Sequence, residues 1–162
     1  MRIGEIYWRK DVEQFFEQWG SLICRVADRY GVDPTMMFAV FTEELSHRWP
    51  VIESGLAERI GIGGTVGPGQ INVSVWSGLL DLNRDQLMNS TIINIHAVAQ
   101  ILRIERDRLP GGYHGTSVLM WGTRYNAGTS SRITDYGRRI SNFYQELNEN
   151  VKERCRTLKC RQ

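Results

Sequence analysis

A chain of 162 residues, 41% hydrophobic and 23% charged, is long enough for one packed core and reads as a single domain over residues 1–162. Twenty basic residues against eighteen acidic ones leave a formal net charge of +2, which removes any bulk electrostatic case for nucleic acid or an anionic membrane as partner. No apolar run approaches the roughly 20 residues of a spanning helix, and the opening MRIGEIYWRK lacks the apolar core of a secretory signal.

From Asp11 to Tyr30, the positions Val12, Phe15, Phe16, Trp19, Leu22, Ile23 and Val26 repeat with helical period, and Gly31 is placed to stop the helix. A short turn leads to DPTMMFAVFTEELSHRWP, residues 33–50. Asp33 is a good N-cap, Pro34 suits the first helical position and Pro50 forbids continuation, so a helix is predicted over about 34–48 and should pack beside the first. Along it Met37, Val40, Phe41 and Glu44 fall on one side. Glu44 therefore points toward the core or a cleft wall. An ionised carboxylate there is costly, so it either meets a partner such as an arginine or has a raised pKa, as a general acid requires.

Between Pro50 and Gln70 six glycines interrupt any periodicity, and a loop is expected. Its GIGGTVGPGQ run lacks the Lys-Ser/Thr ending of a phosphate-binding loop, and Glu53 and Glu58 are its carboxylates. INVSVWSGLL, residues 71–80, fits strand or helix, with helix preferred; residues 81–89 read as polar turn. Ser90 can cap a helix running to about Leu109, traced by Ile92, Ile95, Ala99, Leu102 and Arg106, with His96 as a structural histidine. Thr116 or Ser117 opens a short buried helix ending at Gly128. A last amphipathic helix is predicted over about 135–152, followed by a basic tail, KERCRTLKCRQ, expected to fray unless a disulfide holds it.

Cys24, Cys155 and Cys160 have no metal-knuckle spacing, so no metal is expected. Cys155 and Cys160 are the pair that can bridge in an oxidising compartment, while Cys24 sits in an apolar helical pattern and reads as a small buried hydrophobe. Core packing is the preferred reading of Trp49, Trp76 and Tyr113.

Four segments, in order, resemble the soluble lytic transglycosylase and goose-type lysozyme families. AVFTEELSH (39–47) is similar to the family helix carrying the catalytic glutamate, TVGPGQI (65–71) to its Gly-Leu-Met-Gln-Ile segment, INIHAVAQIL (93–102) to a helix opened by Asn-Ile, and RYNAG (124–128) to its Tyr-Asn-Ala-Gly motif. The following TDYGRRI resembles a Tyr-Val-Arg/Lys stretch. Each segment alone is common; their order and spacing across residues 33–145 is more specific. Leu45 stands where the family usually has Ser, and Pro68-Gly69 where it has two larger residues.

The resemblance implies a mainly α, lysozyme-like helical domain with a Gly-rich loop, roomy enough for a small β-hairpin, after the second helix. It implies a glycosidase acting on the β-1,4 glycan strands of peptidoglycan, by muramidase or lytic transglycosylase chemistry, with Glu44 as general acid and Glu43 as the dispensable neighbour. Gly67, Gln70, Ile71, Tyr125 and Asn126 become substrate-binding candidates, and Trp49, Trp76 and Tyr113 could supply stacking surfaces for sugar rings, though core packing remains the preferred reading of those three. The substrate's own N-acetyl oxygen can replace an enzymatic nucleophile; an inverting hydrolase would instead need a second carboxylate, for which Glu58 and Glu53 are the candidates. No cofactor or metal is implied. The alternatives are an N-acetylglucosaminidase cleaving the other glycan bond and a non-catalytic glycan-binding domain on the same fold. Such a protein would work as a monomer on the cell wall, in the periplasm or outside the cell. With no visible signal it would arrive through a specialised secretion system as an antibacterial effector, by phage lysis, or from a trimmed leader, and a producer would need a cognate immunity protein.

Overall fold

The computed structural model describes residues 10–46, 64–109, 117–128 and 130–159. They form seven helices and one two-stranded antiparallel hairpin, in the order α1 (Lys10–Tyr30), α2 (Pro34–Ser46), β1 (Thr65–Val66), β2 (Ile71–Asn72), α3 (Val73–Leu80), α4 (Arg84–Asn89), α5 (Thr91–Asp107), α6 (Val118–Ala127) and α7 (Asp135–Lys159). The fold is mainly α, with the hairpin in the second half of the glycine-rich stretch.

Helix boundaries follow from local chemistry. The Asp33 carboxylate accepts from Thr35 N at 2.8 Å and opens α2, and Ser90 and Ser117 cap α5 and α6 through their hydroxyls. Asn72 ends the hairpin and caps α3 at once, its side chain accepting from Ser74 N, so the ambiguous 71–80 stretch splits into strand and helix. Residues 84–89, expected as turn, form a helix instead. Asn83 and Gln86 make a reciprocal capping box that satisfies two otherwise orphaned amides.

α2 lies at the centre, with ten of its thirteen residues buried. Phe15 packs on Phe41 at 5.2 Å between ring centroids and Phe16 stacks on Phe38 at 4.6 Å, placing α1 against one side of it. On the other side α7 reaches α2 by hydrogen bonds near both its ends: Tyr144 Oη donates to Asp33 at 2.6 Å, and Arg139 and Tyr136 meet Glu43 and Glu44. α7 also runs tight against α6, since a Cβ on Gly137 would lie 2.4 Å from the Leu119 carbonyl oxygen. Any larger residue there would push apart the two helices.

The C-terminal segment differs most from expectation. α7 continues through Lys159, and Cys155, buried on its inner face, is joined to Cys24 of α1 across a Cα–Cα distance of 5.4 Å. The bridge is therefore Cys24–Cys155, not Cys155–Cys160. Cys24 faces inward as its helical pattern requires, but what it meets is the far end of the chain. Arg154 adds a second tie, donating to the Phe16 carbonyl at 2.7 Å. Helical propagation continues because Leu147, Val151 and Cys155 keep the apolar stripe running along α7.

Candidate active site

Glu44 sits in the last turn of α2, half-buried, and Tyr136 Oη donates to its Oε1 at 2.6 Å. Such a short contact to a carboxylate is a charge-assisted hydrogen bond, which fixes the orientation of the carboxyl plane. Burial, and next the charge of Glu44, push the Tyr136 phenol well above its ordinary range. It therefore remains a proton donor throughout the physiological range. Tyr125 stacks beside Tyr136 at 6.4 Å between centroids with planes 14° apart, and its phenol is raised by the same two causes in the same order.

Tyr125 ties this pair to the hairpin. Its hydroxyl donates to the Gly69 carbonyl at 2.7 Å, while the Gly69 amide donates to Asn94 Oδ1 at 2.8 Å. Asn94 is fully buried and spends its amide nitrogen on the Val66 and Leu87 carbonyls, each at 3.2 Å. One side chain on α5 thus holds both sides of the 67–70 turn. The turn has no room for other residues: Gly67 has φ +72°, and a Cβ there would sit 2.1 Å from the Asn94 amide nitrogen.

Gln70 adopts φ +44°, a left-handed backbone that costs a non-glycine residue about 1–2 kcal/mol. Its side chain offsets this by closing the turn, with Oε1 accepting from Thr65 Oγ1 at 2.8 Å and Nε2 donating to the Gly67 carbonyl at 2.9 Å. Strained backbone of this kind gathers at functional sites when surrounding contacts fix it.

The two neighbouring glutamates divide differently from the sequence expectation. Glu43 is the more buried, 2% exposed, and it meets an arginine, with Arg139 Nε 2.6 Å from its Oε1. A rotation of about 100° per residue would carry Glu43 to the surface only if α2 had a solvent face. With α1 on one side and α7 on the other it has almost none.

The remaining candidates are placed as follows. Ile71 is 1% exposed and anchors the hairpin in the core, so its side chain supports the turn from beneath. Asn126 is exposed in the last turn of α6, next to Tyr125. Trp76 is buried in the core, and His96 is partly buried with its Nδ1 3.3 Å from Tyr30 Oη. Glu53, Glu58, Trp49, Tyr113 and Cys160 lie outside the described residues. Among the described residues no three His, Cys, Asp or Glu side chains gather as a metal-binding group, and no helix is long and apolar enough to cross a membrane.

Tyr136 is the site residue that sequence reasoning did not single out. The TDYGRRI stretch contained it, but nothing in the spacing says which of the aromatic residues along α7 reaches back 92 positions to Glu44. Comparison of the chain with known protein families, with curated proteins and with solved structures finds no match.

Proposed function

We propose that this protein is a glycosidase that cleaves the β-1,4 glycan strand of peptidoglycan, with Glu44 as general acid. The observation that carries the reading is the Glu44–Tyr136 contact, in which a half-buried carboxyl is held by a buried phenol beside a second stacked tyrosine. Its support from sequence is the ordered resemblance over residues 33–145.

In this reading the Glu44 carboxyl protonates the glycosidic oxygen as the bond to the anomeric carbon breaks and oxocarbenium character develops. The carboxylate left behind keeps the Tyr136 hydrogen bond, which is strongest for the charged form and so stabilises the product of proton transfer. The acetamido oxygen of the substrate attacks the anomeric carbon in place of an enzymatic nucleophile. Glu44 then takes a proton either from a water, giving hydrolysis, or from the 6-hydroxyl of the muramic residue, giving an anhydro ring. Asn126, exposed at the same end of α6 as Tyr125, is the side chain available to orient the acetamido group. The Gln70 amide is engaged in its own turn, so in this reading it shapes the turn beside Tyr125.

The Cys24–Cys155 bridge supports action in an oxidising compartment, the periplasm or the cell exterior, because such bonds persist there and are reduced in the cytosol. A producing cell would then need a cognate inhibitor wherever the enzyme meets its own wall. The test is mass spectrometry of the products released from purified peptidoglycan. Anhydro-muramic ends would mark transglycosylation, reducing muramic ends hydrolysis, and reducing glucosamine ends an N-acetylglucosaminidase; the absence of any cleaved glycan would overturn the proposal.

A further inference from the structure

We propose that Arg139 recognises a carboxylate carried by the glycan strand and so sets the register in which the strand lies against Glu44; this rests on the glycosidase reading above. Arg139 lies one helical turn beyond Tyr136 on α7, so both project from the same face. Its Nε is bound to Glu43 at 2.6 Å and its guanidinium carbon lies over the Tyr136 ring, 6.0 Å from the centroid. The head group is thus oriented on two sides and stands one tyrosine ring away from the proposed acid.

A guanidinium carries five N–H donors. Nε serves Glu43, and the four on the two Nη atoms have no partner among the described residues. The side chain is nonetheless 44% exposed. With Nε taken up by a buried carboxylate, the Nη edge is the part of the head group left for a ligand, a planar fork that matches a carboxylate in bidentate fashion. An ion pair serving only to neutralise Glu43 would need neither the fork nor its outward edge. The neighbouring Arg138 is already paired with Asp135 at 2.7 Å.

The sugar rings and acetamido groups of the strand are uncharged. Its carboxylates hang from the lactyl ether of every second sugar, either free or through a stem peptide with carboxylates of its own. A cation fixed beside the acid can therefore tell muramic residues from glucosamine residues by charge, and so choose between the two alternating bonds.

The experiment compares wild type, Arg139→Lys and the double variant Glu43→Gln/Arg139→Gln, which removes both charges without stranding either, after thermal unfolding confirms that each is folded. Three polymers serve as probes: peptide-bearing strands, amidase-treated strands with free lactyl carboxylates, and chito-oligosaccharides with no carboxylate, the last measured as KM or as an inhibition constant. The double variant should raise the KM for carboxylate-bearing strands about tenfold relative to its effect on chito-oligosaccharides, the worth of one charge-assisted contact. Arg139→Lys, which keeps the charge but not the fork, should fall between. A relative rise confined to peptide-bearing strands places the carboxylate on the stem, and one shared by both strand types places it on the lactyl group. Equal change for all three polymers overturns the proposal while leaving the glycosidase reading intact. Failure of wild type to cleave any of the strands overturns both.

Discussion

Tyr136 of α7 donates its hydroxyl to the Glu44 carboxylate of α2 across 2.6 Å, joining two helices that lie 92 positions apart in sequence. Glu44 is therefore held by a helix that also grips the N-cap of α2 through Tyr144 and Asp33. α2 is clamped near both ends, and Glu44 has little freedom to swing out of position.

Tyr136→Phe keeps the ring and its stack on Tyr125 but removes the hydroxyl. A hydrogen bond to a charged group is worth about 1.5–3 kcal/mol, so turnover of purified wall should fall about ten- to a hundredfold. The same variant has a signature in alkali. The folded phenol is held above its ordinary range by burial and by the charge of Glu44, so it keeps its proton where the unfolded chain loses it. Its contribution to stability is complete below about pH 10 and is lost as pH rises beyond that. The difference in unfolding free energy between wild type and Tyr136→Phe should change little from pH 7 to 9 and shift in favour of the variant above pH 10.

Glu43 carries a structural burden of its own, through its ion pair with Arg139. Removing it by Glu43→Ala strands the Arg139 charge, but Arg139 is 44% exposed and can regain water. The cost should be about 2 kcal/mol, below the range for a fully buried pair, read from denaturant unfolding. Cleavage should persist in the folded variant, with KM rather than kcat carrying any change.

Asn94→Ala removes three hydrogen bonds to the hairpin and to Leu87. At about 1 kcal/mol each, and more where a buried group is left unsatisfied, the loss should reach about 3 kcal/mol. Amide exchange at Gly69 should be slow in the wild type, where the amide donates to Asn94, and fast in the variant, and activity should fall with it because Tyr125 loses its fixed acceptor.

The Cys24–Cys155 bridge closes a loop of sequence separation 131. Loop-closure entropy assigns it about 5 kcal/mol, a large part of the stability of an ordinary domain. Reduction should lower the thermal midpoint by about 10–15 °C, and a protein refolded in reductant should be correspondingly poorer in activity at 37 °C. An unchanged midpoint would show that the bridge is dispensable.

The helical frame was legible because its punctuation is local. Asp33, Ser90, Ser117 and Gly128 mark ends through contacts within a few residues of themselves, and the apolar period of α1 and α5 needs no knowledge of the rest of the chain. α4 escaped notice because a polar composition masked the Asn83–Gln86 box. Of the candidate site, Glu44, Tyr125 and Gly67 were named from motif order. The structure was not legible at Tyr136, at the burial of Glu43 or at the partner of Cys24, because each depends on α7 folding back along α2 and α1. Periodicity shows that a helix has an inner face; it does not say which helix that face will meet.

The central claim is that Glu44 donates the proton that breaks the glycan bond. It is tested most directly by measuring release of soluble glycan fragments from purified peptidoglycan by wild type, Glu44→Gln and Glu43→Gln, each shown to be folded. The account predicts cleavage by wild type and by Glu43→Gln and loss of cleavage in Glu44→Gln, whose amide keeps the size and the Tyr136 contact but has no acidic proton to give. Cleavage by Glu44→Gln at the wild-type rate would contradict it.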